Sequence, residues 1–176
     1  MEKQPGKTLG RGMLLVACVI GMALMTVFFA DLEEQQRNPN RSPRSRQATN
    51  LIEVVLERNR SGHYVVTGTI NNKPVEFLLD TGATDVVIPI ATADYLGLVR
   101  GRRSQAMTAN GPISVYSTAL AELTIGEIRL HDIRASINPQ MQPQGILLGM
   151  SALKQIEFLQ QGDVLTLRQY GSQAND

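Results

Sequence analysis

Apolar and polar positions divide the chain into three stretches of different character. Residues 13–30 read MLLVACVIGMALMTVFFA and carry no charge. A spanning helix needs ~17–25 such residues, so the pattern predicts a transmembrane anchor over 13–30 behind a short tail over 1–12. Residues 31–50 switch to Gln, Asn, Arg, Ser and Pro, with Pro39 and Pro43 among them. A stretch with so little apolar surface does not offset the entropy of ordering, and it is expected to be a flexible linker. From residue 51 onward, short apolar runs alternate with turn residues. They cover 51–56, 63–70, 75–79, 86–90, 105–109, 113–120, 121–125, 128–137, 146–148 and 164–167. Val, Ile and Thr dominate these runs, as suits pleated, half-buried surfaces. Turn residues at 71–74, Asn110-Gly111 and Gly126-Glu127 separate neighbouring runs and mark hairpins. Helical stretches are short. One covers 92–96 and meets a capping glycine at Gly97; another covers 151–156 and starts at Ser151, an N-capping residue type. Regularly spaced short strands predict an all-β domain over 51–176, a small barrel or sandwich with one or two short helices.

Composition narrows the chemistry. The chain has 176 residues, with 17 Lys+Arg against 16 Asp+Glu. A nearly balanced charge gives no electrostatic footprint for nucleic acid, and no nucleic-acid partner is expected. Cys18 is the single cysteine, which excludes an intramolecular disulfide and a cysteine-based zinc site. His63 and His131 lie too far apart in sequence to form a metal-ligand spacing. No metal and no cofactor are expected.

The apolar segment also admits a signal-peptide reading. Its end, Phe28-Phe29-Ala30, sets a bulky Phe where a cleavage site wants a small residue, which favours an uncleaved anchor. Leu15-Val16-Ala17-Cys18 resembles a lipoprotein-processing box, but the apolar run before Cys18 is too short for one. Lys3, Lys7 and Arg11 precede the span, and Arg37, Arg41, Arg44 and Arg46 follow it, so basic charge alone is nearly even. The acidic Asp31, Glu33 and Glu34 follow the span directly and tip the orientation toward an amino terminus inside. The β-domain is then expected outside the cytoplasmic membrane.

The sharpest feature of that domain is Phe77-Leu78-Leu79-Asp80-Thr81-Gly82-Ala83. An apolar strand runs straight into a carboxylate, and burying a carboxylate is costly unless it is paired or protonated. Taken alone, Asp-Thr-Gly also reads as an ordinary Asx-turn closing a strand. A second apolar run, Ile146-Leu147-Leu148-Gly149, enters a short helix further on. With Gly62-His63-Tyr64 before the motif and Thr108-Ala109-Asn110-Gly111 between the two, the order of landmarks closely resembles that of the retropepsin-like aspartic proteases. The resemblance covers 63–168 and is closest to the membrane-anchored bacterial members.

That resemblance implies a small closed barrel and hydrolysis of peptide bonds by water held between two carboxylates that share one proton. Asp80 is the single Asp in an Asp-Thr-Gly context, so the resemblance requires a homodimer with one catalytic Asp80 from each protomer. Thr81, Gly82 and Ala83 correspond to the rest of the catalytic loop. Thr108, Ala109, Asn110 and Gly111 correspond to a flap over a peptide or protein substrate. Leu147, Leu148 and Gly149 correspond to structural support beneath the loop. Viral members hold their dimer with interleaved terminal strands, and 164–167 is the run positioned to do so here. The expected localisation is a bacterial inner membrane, single-pass, with a periplasmic catalytic domain. The rival reading is a non-catalytic dimeric binding module on the same fold.

Overall fold

A computed structural model describes residues 5–108, 111–142 and 145–171. The chain forms two units, divided between Arg37 and Asn38. The first is one helix, α1 (Pro5–Arg37). Its segment Gly12–Arg37 is long and apolar enough to cross a membrane. Met13, Leu14, Val19, Leu24 and Phe28 on it are all exposed.

The second unit is mostly strands. In chain order they are β1 (Arg44–Ala48), β2 (Leu51–Glu57), β3 (Val65–Ile70), β4 (Lys73–Leu79) and β5 (Val86–Pro89), followed by α2 (Ile90–Leu96). Then come β6 (Arg103–Thr108), β7 (Gly111–Ile125), β8 (Ile128–Asn138), β9 (Ile146–Leu148), α3 (Met150–Leu153), β10 (Glu157–Gln161) and β11 (Val164–Tyr170). A seven-stranded sheet has the order β3-β4-β9-β5-β8-β7-β6, and β3 also pairs with β7. That extra pairing, Thr69 opposite Thr124 and Ile70 opposite Leu123, closes the sheet on itself. The Thr69 and Thr124 hydroxyls meet at 2.7 Å across the seam. The expected small closed barrel is therefore present, with β6 outside the ring. Phe77, Ile88, Leu120, Leu123, Ile133, Ile137 and Leu148 fill it and have no exposed surface. Gly68 is needed at the seam, because a Cβ there would collide with the Thr124 carbonyl oxygen.

Local signals explain most boundaries. Asn71 and Asn72 both take positive φ, 48° and 65°, in the turn from β3 to β4. Asn tolerates that conformation better than other side-chain-bearing residues, and two such residues match the twist of a hairpin. Gly97 closes α2 in the left-handed region at φ 73°, as its sequence position predicts. The runs expected at 113–120 and 121–125 form one continuous strand, β7.

The expected flexible linker over 31–50 is corrected. α1 continues through Arg37, and β1 pairs with β2 from Arg44 opposite Val55 to Ala48 opposite Leu51. Between them, Asn38 and Asn40 are buried. The Asn38 amide donates to Thr67 Oγ1 at 3.0 Å and to Glu76 Oε1 at 2.8 Å. The Asn40 amide donates to the Glu57 and Val65 carbonyls at 2.9 and 2.7 Å, and its own oxygen accepts the Glu57 N–H at 2.7 Å. Hydrogen bonds to strand backbone order this segment, and apolar content is blind to them.

Candidate active site

Two apolar strands deliver the site. β4 and β9 run parallel, with Phe77 opposite Ile146, Leu78 opposite Leu147 and Leu79 opposite Leu148. The Asp80 N–H extends the pairing by donating to the Leu148 carbonyl at 3.1 Å. Beyond Asp80 the chain turns back. The Ala83 N–H donates to the Asp80 carbonyl at 3.2 Å. The Gly82 N–H donates to Asp80 Oδ1 at 2.9 Å, which fixes the orientation of the carboxylate. This is the Asx-turn geometry that Asp-Thr-Gly predicts. Asp80 itself is half-buried, while Thr81 and Gly82 are exposed. The carboxylate thus sits at the mouth of an apolar barrel, on a loop open to solvent.

The loop rests on the segment after β9. The Met150 N–H donates to the Ala83 carbonyl at 2.8 Å, and the Ser151 N–H donates to the Thr84 carbonyl at 2.9 Å. Gly149 allows this approach: a Cβ on it would collide with the Asp85 carbonyl oxygen and lie 2.7 Å from that of Ala83. Asp80, Thr81, Gly82 and Ala83 are therefore brought together with Leu147, Leu148 and Gly149.

Sequence reasoning missed a second layer beneath the loop. Ser151 was expected as a helix cap, but α3 starts at Met150 with Gly149 before it and no side-chain cap. The buried Ser151 hydroxyl instead donates to the Arg134 carbonyl at 2.7 Å and accepts the Val86 N–H at 3.0 Å. It ties α3 to β5 and β8 at once. Next to it, the Arg134 Nε donates to Asp85 Oδ1 at 2.7 Å. A serine after an apolar strand signals a cap locally, and only the tertiary fold shows its other use.

The hairpin expected as a flap is β6 with the first part of β7. They pair from Arg103 opposite Tyr116 to Thr108 opposite Gly111. Thr108 Oγ1 donates to the Gly111 carbonyl at 2.8 Å. Gly111 takes φ 105°, a conformation that favours glycine. Ala109 and Asn110 lie outside the described residues. No residue of β6 is fully buried, and Met107 is 82% exposed. β7 pairs with β8 only from Tyr116 onward, so the hairpin projects past the ring as a two-stranded ribbon. Among the described residues, no group of three or more His, Cys, Asp or Glu is arranged to hold a metal ion.

Comparison with known proteins agrees with this geometry. The family model described as gag-polyprotein putative aspartyl protease matches residues 66–155, just over half of the chain. An uncharacterised protein of a Sinorhizobium species is 35% identical over 120 residues, which are 66% of this chain and 52% of that protein. An uncharacterised protein of Rickettsia prowazekii is 28% identical over 87 residues, 48% of this chain and 38% of that protein. The matched regions thus span about half or less of these relatives' lengths. The crystal structure of a retropepsin-like aspartic protease from Rickettsia conorii is similar with a TM-score of 0.59 and 27% identity, covering 74% of this chain and 97% of that one. The family match encloses the Asp80 loop, the hairpin and Gly149, and the chain belongs to the gag-polyprotein aspartyl protease family with a retropepsin-like fold.

Proposed function

We propose that this protein is a membrane-anchored, homodimeric aspartic endopeptidase. The observation that carries the reading is Asp80. It ends an apolar strand, its carboxylate is oriented by the Gly82 N–H, and the loop around it is braced from beneath. That much rigidity around a lone solvent-facing carboxylate does nothing for the barrel, and it suits a group that must meet its counterpart at a fixed distance.

One carboxylate is half of the chemistry, and the second comes from Asp80 of a partner protomer across a two-fold axis. Like charges that close do not both ionise readily, so the pair holds one proton. The unprotonated carboxylate removes a proton from water as its oxygen attacks the peptide carbonyl carbon. The protonated one gives its proton to the carbonyl oxygen, forming a tetrahedral diol. The C–N bond then breaks as the nitrogen takes up a proton and the carboxylic acid forms. Thr81 braces the paired loops. Gly82 and Ala83 let the substrate backbone approach. The β6–β7 ribbon, with Thr108, Ala109, Asn110 and Gly111 at its tip, closes over an extended peptide and excludes water.

α1 supplies the anchor. The basic residues before the span and the acidic residues directly after it favour a periplasmic catalytic domain in a bacterial inner membrane. The substrates are then peptides or proteins at that surface. The test is cleavage of a diverse peptide library by the full-length chain in detergent, compared with Asp80→Asn. Cleavage by the native chain and none by the variant is the expected result. Equal cleavage by both would remove Asp80 from the mechanism. No cleavage by a folded dimeric native chain would favour a binding module.

A further inference from the structure

The strand that delivers Asp80 has a neighbour whose register reaches past it. β3 pairs antiparallel with β4, and the ladder between them ends with Val65 opposite Leu78. The pairing continues beyond the strand ends, because the Leu79 N–H donates to the Tyr64 carbonyl at 3.0 Å. One further step in the same register sets His63 opposite Asp80. The backbone agrees. The His63 N–H donates to Asn59 Oδ1 at 2.9 Å, and the His63 carbonyl accepts the Asn59 N–H at 2.8 Å. The Asp80 N–H likewise turns away from β3, to the Leu148 carbonyl. Opposed residues whose backbone groups turn outward form the close, non-hydrogen-bonded kind of antiparallel pair. Their side chains share a face, with Cβ atoms about 5 Å apart.

The loop before β3 holds His63 in that place. Asn59 Oδ1 also accepts the Ser61 N–H at 3.0 Å, and the Gly62 N–H donates to the Asn59 carbonyl at 3.0 Å. Gly62 takes φ 83°, in the region that favours glycine. The Arg58 Nε donates to the Gly62 carbonyl at 2.9 Å, and its Nη1 lies 3.3 Å from Asp163 Oδ1. The charged groups around His63 are therefore Arg58 and Arg60 on its own loop, Asp163 on the turn after β10, and Asp80 across the ladder. Asp163 is met by Arg58, and Asp85, the next acid beyond the Asp80 turn, is met by Arg134 at 2.7 Å. His63 is exposed to solvent and is the titratable side chain that the ladder sets opposite Asp80.

We infer that His63 is a positioning residue for the charge of the dyad: its imidazolium steadies the singly ionised carboxylate pair and extends activity to lower pH. The inference rests on the reading of Asp80 as half a dyad. An imidazole is ordinarily cationic below about pH 6.5, which covers the mildly acidic range where a carboxylate pair holds one proton. Loss of a proton from the neutral pair leaves one negative charge, and a cation across the ladder favours that step. Acting through solvent over roughly 5 Å, one unit charge moves such an equilibrium by about half a pH unit. Two-fold symmetry gives each Asp80 of the pair its own His63.

The test is the pH dependence of kcat/KM for the full-length chain in detergent, on a peptide without Asp, Glu or His, so that the substrate does not titrate. His63→Gln should move the acid limb up by about half a pH unit, with the rate at the optimum within about threefold of the native rate. His63→Lys keeps the charge and should return the limb most of the way to its native place. At about 1 M salt, where the screening length is about 3 Å, the native and His63→Gln profiles should converge. Coincident acid limbs at low salt, or an equal displacement in the Gln and Lys variants, would overturn the inference and leave His63 only shaping its loop. Failure of the protease reading looks different. There, the native chain cleaves nothing, or cleaves equally well as Asp80→Asn, and both readings fall together.

Discussion

The Asp80 loop and the β6–β7 ribbon are built by opposite rules. The loop is short and held from several directions. Asp80 continues the β4–β9 pairing, Ala83 and Thr84 are bonded to the start of α3, and Ser151 ties that helix to β5 and β8. The ribbon is held by its own two strands until Tyr116 meets Ile137 on β8. No residue of its β6 strand is fully buried. A group that must hold a reacting geometry needs a packed bed, and an element that must open for substrate comes from the less stable part of a fold. The two regions lie on the same barrel and differ in how many neighbours restrain them.

Substitutions can break or sharpen that contrast. Gly149→Ala should have the largest effect, because the added Cβ meets carbonyl oxygens of the loop rather than a side chain that can move aside. We expect a loss of about 3 kcal/mol in denaturant unfolding, together with loss of cleavage. Ser151→Ala comes next. It leaves the Val86 N–H and the Arg134 carbonyl without their bonds to the hydroxyl, and it should cost about 2 kcal/mol. Met107→Ala on the ribbon should change stability by less than about 0.5 kcal/mol. Its effect should appear instead in kcat/KM, about tenfold lower if the ribbon closes over substrate. A stability loss at Met107 as large as that at Ser151 would erase the distinction.

The smallest effect belongs to the terminal sheet. The Tyr170 hydroxyl donates to Glu157 Oε2 at 2.8 Å, and this bond holds the phenol above its ordinary value of 10.0. A raised folded-state pKa stabilises the fold below 10.0 and loses that contribution as pH rises through the raised value. Melting curves above pH 10 should therefore fall more steeply for the native chain than for Tyr170→Phe. Parallel curves would mean that the bond does not persist in solution.

Much of the barrel was legible in the sequence. Alternating Val, Ile and Thr runs marked the ring strands, and Asp-Thr-Gly marked the turn at Asp80. What stayed hidden was held by something other than apolar pattern. β1, Arg-Ser-Arg-Gln-Ala, has no apolar face and exists because β2 pairs with it. Asn38 and Asn40 looked like linker residues, and their amides are satisfied by strands distant in sequence. β10 showed no alternation because both of its faces remain exposed.

The central claim is that each active site takes one Asp80 from each of two chains. Mixing tests it directly. Native and Asp80→Asn chains would be co-expressed with distinct tags, at a known ratio, and the cleavage rate measured per total protein. If both carboxylates are required and subunits pair at random, an equal mixture keeps about a quarter of the native activity. Retention of about half would mean that each native chain works without the Asp80 of its partner, and the shared dyad would be wrong.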